Sequence, residues 1–204
     1  MRNDLPKRKR LRLKNYDYST PGAYFITICT HNKQCTLSHI TGTIQESSES
    51  PVHTVGTIHE SPETPAHIVG AIHESPKSPE TKLTEYGKIV DNIINHIPEH
   101  CKATIDKYVI MPNHIHLIVI INDDEELRAI RESSAQGRSV ISKIIGYIKM
   151  NASKEIHNRY GNTTVWQRGF HDHIIRDLHE YEKIAEYIYE NPIRWQSDCF
   201  YTEE

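Results

Sequence analysis

The chain has 204 residues and a formal net charge of −3, from 24 basic and 27 acidic side chains. This length suits one domain with a substantial core, and the four cysteines contain no CxxC pair, which argues against a zinc ribbon or a secreted disulfide framework. The longest apolar runs, such as residues 117–121, are far too short to cross a bilayer, and the N-terminus is charged, so we expect a cytoplasmic protein.

A basic arm opens the chain. Residues 1–14 carry seven basic side chains, among them Lys9, Arg10 and Arg12, against the single acid Asp4. Such an arm is often only a solvated tail, but it can also contact nucleic-acid phosphates. The arm alone does not decide between these two interpretations.

A strand and then a repeat follow the arm. Residues 23–30 (AYFITICT) are aromatic and β-branched, which predicts a strand. Gly42, Gly56 and Gly70 each begin a 14-residue unit rich in Ser, Thr, Pro and Glu. The units are too polar to build a core, so we predict an insertion over 42–80. The histidines of the insertion could bind a metal. However, duplication of a unit also duplicates its histidine, so their recurrence does not require a function.

The remaining elements alternate. Apolar spacing predicts helices over 84–97, 139–160 and 178–191, and strands over 104–111, 115–121 and 165–176. The order β-α-β-β-α-β-α predicts an α+β fold, a ferredoxin-like split βαβ antiparallel sheet with an added C-terminal helix. We therefore predict one domain over 15–196, interrupted at 42–80 and followed by a tail over 197–204.

Two histidines stand where a turn meets the apolar strand over 115–121. Side chains alternate across a strand, so His114 and His116 project from one face and could share a divalent cation. They could equally cap the strand end and hydrogen-bond to a loop. The tripeptide His-Ile-His is a weak motif without further support.

The last helix supplies a candidate nucleophile. Tyr187 shares a helix face with Lys183 and Asn191, whereas Tyr189 shares one with acidic residues. A phenol, with a pKa of about 10, needs a metal-polarised phosphate or a nearby cation to attack near neutral pH. The amide oxygen of Asn191 could complete a metal site begun by two imidazoles. Without the histidines, Tyr187 would be interpreted as an ordinary half-buried helix aromatic.

Five blocks together resemble a known family. They are YFITICTHNKQ (24–34), LTEYGKIV (83–90), YVIMPNHIHLIVII (108–121), WQRGFHDHIIRD (166–177) and EYIYENPIRW (186–195). In this order they resemble the HUH-type single-tyrosine transposases, and most of all the REP-associated tyrosine transposases (RAYT). The resemblance covers residues 11–41 and 82–196, and it also implies a ferredoxin-like fold.

The resemblance implies a reaction and a site. In the family two histidines bind Mg²⁺ or Mn²⁺, a helix tyrosine becomes linked to the 5′-phosphate of single-stranded DNA, and a Gln or Asn four residues later is the third ligand. These roles carry over to His114 and His116, to Tyr187 and to Asn191. We expect nicking and strand transfer at hairpin or palindromic single-stranded DNA, by a nucleoid-associated monomer or homodimer that does not bind membranes.

Further residues are candidates for DNA contact or support. The basic candidates are Lys9, Arg10, Arg12, Lys143, Lys149, Lys154 and Lys183. His171 and His173 alternate on one strand, and His173 could support the metal ligands from behind. Two other functions stay open, namely a hairpin-binding regulator that retains the fold but not the chemistry and a hydrolase without a covalent step.

Overall fold

The computed structural model describes residues 16–41, 80–97, 103–122 and 139–202. The predicted basic arm, with Lys9, Arg10 and Arg12, lies outside the described residues, and so does the predicted insertion apart from Glu80. In chain order the elements are β1 (Gly22–Cys29), β2 (Ser38–Thr41), β3 (Glu80–Leu83), α1 (Glu85–Asn95), β4 (Ala103–Ile110), β5 (His114–Ile121), α2 (Val140–Tyr160), β6 (His171–Ile175) and α3 (Leu178–Glu190).

Four of the strands form an antiparallel sheet in the order β4-β5-β1-β6. Strands β1 and β5 are therefore central, and the connections through α1 and α2 are those of a split βαβ unit. The predicted ferredoxin-like fold with an added C-terminal helix is confirmed. A separate hairpin of β2 and β3 joins Thr41 to Glu80 on the two sides of the predicted insertion.

The alternation of β5 divides its side chains between two cores. Ile115, Leu117 and Val119 belong to the larger core under α1 and α2. Ile118 belongs to a smaller core that contains Ile188 of α3. Since His114 and His116 have the same parity as Ile118, they face α3. The sheet thus places the two histidines and the last helix on the same side.

Each helix begins at a side chain that accepts a hydrogen bond from the first turn. Thr84 accepts from the Gly87 N–H, Ser139 from that of Ser142 and Asp177 from that of Glu180. These caps satisfy amide groups that have no partner within the helix. They lie at or beside the predicted helix starts, because Ser, Thr and Asp before an apolar stripe are a recognisable start signal.

The predicted strand over 165–176 is wrong in its first half. Only His171–Ile175 is strand, and Trp166 makes a single bridge to Thr30. Lys149 explains the loop, because its ammonium group donates to the backbone carbonyls of Gln167 and Gly169. These carbonyls are therefore used by a side chain rather than by a neighbouring strand.

Within the described ranges, no helix is both long and apolar enough to span a membrane.

Candidate active site on the face of the sheet under the last helix

The two predicted histidines meet at the start of β5. Their Nε2 atoms are 2.9 Å apart, and both side chains are buried, with 0% and 1% of their surface exposed. His114 pairs with Cys29 and His116 with Thr27 on the neighbouring β1, so a central strand pair holds both rings. Two nitrogen ligands bound side by side to one ion at about 2.1 Å lie about 3.0 Å apart. The observed separation of the histidines matches that spacing.

The Nδ1 atom of each ring, which is not the atom facing the other histidine, contacts a neighbouring side chain. The Nδ1 of His114 is 2.9 Å from the Asn113 Oδ1, and the amide nitrogen of Asn113 donates to the carbonyl of Phe200. The Nδ1–H of His114 therefore donates, so the lone pair of the ring is on Nε2, where it can accept a hydrogen bond from His116 or bind an ion. The Nδ1 of His116 is 2.9 Å from the Thr27 hydroxyl, a group that can either donate or accept. Such partners behind metal-binding histidines orient the rings.

Helix α3 brings the predicted nucleophile to the histidines. The Tyr187 hydroxyl lies 3.2 Å from the His116 Nε2, and its ring packs edge-on against both His116 and Phe25. Asn191, at the C-terminal end of the same helix, is 1% exposed. Tyr189 points away and is 81% exposed. The structure therefore places Tyr187 against His116, and it places Asn191 one turn further along the same helix.

The hydrogen bonds of Asn191 show how its side-chain amide is oriented. Its nitrogen donates to the Asp198 Oδ2 at 3.0 Å. Its Oδ1 is buried and has no hydrogen-bond partner among the described residues. A buried carbonyl oxygen without a partner is costly, so a ligand for it is expected. Two imidazole nitrogens and this oxygen are a donor set that fits a divalent cation.

The segment predicted as a C-terminal tail closes the site. A short 3₁₀ helix (Trp195–Ser197) follows α3, and the ring of Phe200 lies 4.6 Å from that of His114. Asp198 accepts from the Tyr187 hydroxyl at 2.9 Å, and one of its oxygens lies within 4.8 Å of a ring nitrogen on each histidine.

Burial sets the proton affinities of these groups. It lowers the pKa of His114 to about 4, and it also lowers that of His116 well below the usual value, with His114 adding to the effect. Both rings are therefore neutral near pH 7, as metal ligation requires. Burial, followed by the contact with Asp198, raises the pKa of Tyr187 above its usual value. A phenol held this firmly in its protonated form needs help before it can attack.

Asp198 is ionised in spite of its partial burial. Burial by itself would raise the pKa of its carboxyl, but hydrogen bonds from the Phe200 N–H, Asn191 and Tyr187 lower it overall. The site thus contains one anionic side chain beside two neutral imidazoles, and a divalent cation there would meet complementary charge.

The other predicted residues lie further from the histidines. Lys143, Lys149 and Lys154 are on α2, which packs on the opposite face of the sheet, and the ammonium of Lys149 is bonded to backbone carbonyls. Lys183 is exposed on α3. His173 bonds Glu180 at 2.6 Å, at the start of α3. That contact joins β6 to α3 rather than to a metal ligand.

The sequence pattern does not indicate three further residues of the site, Asp198, Thr27 and Asn113. None of them has a periodic spacing to the histidines, and Asp198 is one of 27 acidic residues. Thr27 comes next to His116 through strand register, and Asp198 through the turn after α3. Only the order of residues in the NHIH tetrapeptide could have indicated Asn113.

Comparisons with known proteins agree with the fold and the motifs. The chain is 30% identical over 205 residues to an uncharacterized protein of Haemophilus influenzae, with 96% of this chain and 94% of the relative covered. It is 25% identical over 122 residues to a protein of the same organism named "Putative REP-associated tyrosine transposase", with 55% of this chain and 62% of that protein covered. No family model matches the chain.

A solved structure shares the fold. It is that of a REP-associated tyrosine transposase bound to a REP hairpin, with a TM-score of 0.52 and 16% sequence identity. The match covers 90% of this chain and 73% of the other. The resemblance to the REP-associated tyrosine transposases that the five sequence blocks indicate is therefore confirmed.

Proposed function

We propose that the chain nicks and rejoins single-stranded DNA through a covalent link between Tyr187 and a 5′-phosphate. One observation carries the proposal: the Tyr187 hydroxyl lies 3.2 Å from the Nε2 of His116, and the Asp198 carboxylate links it to Asn191, whose buried oxygen has no protein partner in the described part of the chain. A nucleophile and a ligand set for a cation are thus in one place. The transposase relatives support the same class of reaction.

His114, His116 and Asn191 would hold Mg²⁺ or Mn²⁺. When bound, such an ion polarises a phosphate and stabilises the charge that develops in the transition state. The neutral imidazoles and the amide oxygen offer lone pairs to it without losing a proton. The protein in turn places the Tyr187 hydroxyl next to that position, and the helix holds the ring against Phe25.

The proposed reaction exchanges one phosphodiester for another. The Tyr187 oxygen bonds to phosphorus while the bond to the 3′-oxygen of the preceding nucleotide breaks. The tyrosine loses its proton, and the departing 3′-oxygen gains one to become a hydroxyl. Attack by a 3′-hydroxyl on the phosphotyrosine restores the enzyme and completes strand transfer. No net hydrolysis is required.

We propose hairpin DNA as the substrate. A relative with this fold has been captured with a REP hairpin. The exposed Lys183 of α3 and Lys143 and Lys154 of α2, together with the basic residues Lys9, Arg10 and Arg12 of the arm, are candidates to contact the DNA backbone. Lys149 would have to give up its carbonyl partners to join them.

A labelled single-stranded hairpin library tests the proposal. Incubation with the full chain and Mn²⁺ should produce a covalent protein–DNA adduct that survives denaturing electrophoresis. The adduct should be lost with EDTA, and with His114→Ala or His116→Ala at unchanged fold. Hairpin binding without any adduct would favour a non-catalytic regulator. Cleavage that Tyr187→Phe leaves intact would favour a hydrolase without a covalent step.

A further inference from the structure

The Asp198 carboxylate joins the two proposed functional residues of α3. Its Oδ2 accepts one hydrogen bond from the Tyr187 hydroxyl, at 2.9 Å, and another from the Asn191 amide nitrogen, at 3.0 Å. A single oxygen therefore contacts both the nucleophile and the candidate third ligand. Carboxylate hydrogen bonds of this kind are stronger than those between neutral groups.

The two oxygens of Asp198 have separate partners. Oδ1 accepts from the Phe200 N–H at 2.6 Å, which closes the turn after the 3₁₀ helix. This is an ordinary turn contact that an asparagine side chain makes as well. Oδ2 has no part in the turn and faces Tyr187 and Asn191. A structural role and a role in the site can therefore be separated by changing one atom.

The contact with Oδ2 decides which way the Asn191 amide faces. An amide has a donating and an accepting end, and a carboxylate accepts only. The nitrogen of Asn191 must therefore face Asp198, which leaves its buried oxygen on the other side of the amide, without a protein partner in the described chain. If the Asn191 amide were flipped, its oxygen would face the Asp198 Oδ2. Its NH₂ group would then take the place of the oxygen, and this group cannot bind a cation.

From these contacts we propose that Asp198 is an active-site residue that holds the hydroxyl of Tyr187 and keeps the oxygen of Asn191 turned toward the metal position. This inference rests on the proposed function and adds to it a residue from the segment after α3. Because Asp198 touches the reacting hydroxyl, it acts on the nucleophile directly and on the cation through Asn191.

The variant Asp198→Asn tests the proposal by replacing Oδ2 with an NH₂ group. Its carbonyl can still accept from the Phe200 N–H, so the turn is retained. Its NH₂ group, however, meets the donating end of Asn191, which must then flip and turn its nitrogen toward the histidines. Mn²⁺ affinity, measured by calorimetry or by electron paramagnetic resonance without DNA, should fall about 10- to 100-fold. The rate of adduct formation should fall as well.

A double variant separates this role from a loss of structure. In Asn191→Asp with Asp198→Asn the carboxylate and the amide exchange places, so that one oxygen of residue 191 faces the histidines and the other accepts from residue 198. Mn²⁺ affinity should return to within a few-fold of the wild-type value. Adduct formation should stay below wild type, because Tyr187 has then lost its carboxylate acceptor.

Asp177→Asn is the matched control. Asp177 also accepts a backbone N–H through a side-chain oxygen, at the far end of the same helix, and it makes no contact with the site residues. The control should bind Mn²⁺ and form the adduct as the wild type does. If Asp198→Asn equals the control, or if the double variant fails to recover Mn²⁺ affinity, the proposal is overturned. A wild-type protein that binds no Mn²⁺ would overturn the proposed function as well.

Discussion

Tyr187 and Tyr189 lie on different faces of α3. Two positions on a helix are about 200° apart, so only one of the two side chains can face the histidines. Tyr187 meets His116, whereas Tyr189 is 81% exposed. The structure agrees with the face that the sequence pattern assigns to each tyrosine, and their chemical roles stay a prediction.

Tyr187→Phe should abolish the covalent DNA adduct, because it removes only the hydroxyl. The variant should retain its fold and its Mn²⁺ affinity. Tyr189→Phe is the matched control and should retain most of the adduct yield. The measurement is peptide mapping of the protein–DNA adduct by mass spectrometry. A nucleotide attached to Tyr189 would show that the assignment of the nucleophile is incorrect.

Stability should depend on pH through the buried histidines. Burial lowers the pKa of His114 to about 4, while an unfolded chain keeps the ordinary value of 6.5. Between these values the unfolded state binds more protons, so the free energy of unfolding should fall as the pH drops from about 6.5 toward 4. Urea denaturation in EDTA measures this change.

His114→Gln should reduce that pH dependence, because the variant cannot take up the proton. The comparison between wild type and variant isolates His114 from the carboxyl groups that titrate in the same acidic range. Equal slopes for the two proteins would mean that His114 titrates as it does in the unfolded chain.

At the scale of elements, one helical glycine is required by packing and another is not. A Cβ on Gly87 of α1 would lie 2.0 Å from the backbone oxygen of Leu37, while a Cβ on Gly146 of α2 would have nothing within 4 Å. The close approach lets Thr84, at the start of α1, donate to the same oxygen. The first turn of α1 is therefore fastened to the loop before β2.

Gly87→Ala should destabilise the protein by about 2 kcal/mol or more, since a backbone oxygen cannot move as a side chain would. Gly146→Ala should instead stabilise it by about 0.5–1 kcal/mol, because alanine has the higher helix propensity and the site is open. Thermal and urea unfolding of both variants give the two values. Similar effects of the two substitutions would contradict the packing argument.

The elements differ in how well a pattern predicts them. Helix α2 has both a capping serine and a buried stripe at helical spacing, and its predicted and observed ranges agree closely. The stretch 165–170 contains apolar and aromatic residues that resemble a strand, but its backbone pairs with the end of β1 and the residues after it only over 165–167. Its carbonyls instead bind Lys149, which comes from a distant part of the chain. Such a contact leaves no local pattern.

At the scale of the whole molecule, the inserted repeat joins two strands that are already paired. Thr41 faces Glu80 in the β2–β3 hairpin, and neither strand belongs to the main sheet. The residues that build the site come from β1, β5, α3 and the segment after it. The connection between Thr41 and Glu80 can therefore change in length without a change in the elements that carry the site.

Deletion of residues 42–69, two whole repeat units, should leave a folded protein that still forms the adduct. Residues 70–79 remain to close the hairpin, so the connection becomes about fourfold shorter. The lower cost of loop closure should raise the free energy of unfolding by about 1 kcal/mol. Urea denaturation and the hairpin adduct assay check both expectations. Insolubility, or loss of all nicking, would show that the repeat contributes to the core or to the site.

The order of the elements around the main sheet, the ferredoxin-like fold, and the shared faces of His114 with His116 and of Tyr187 with Asn191 could be predicted from the chain, whereas the roles of these four residues are implied by the family resemblance and stay a prediction. The physical reason is that periods of two and 3.6 residues record which side chains share a face. Asp198 and Thr27 could not be found in that way. Thr27 reaches His116 through the register between β1 and β5, and Asp198 reaches Tyr187 through the turn after α3. Both contacts form when distant or irregular segments pack, and no local spacing encodes such packing.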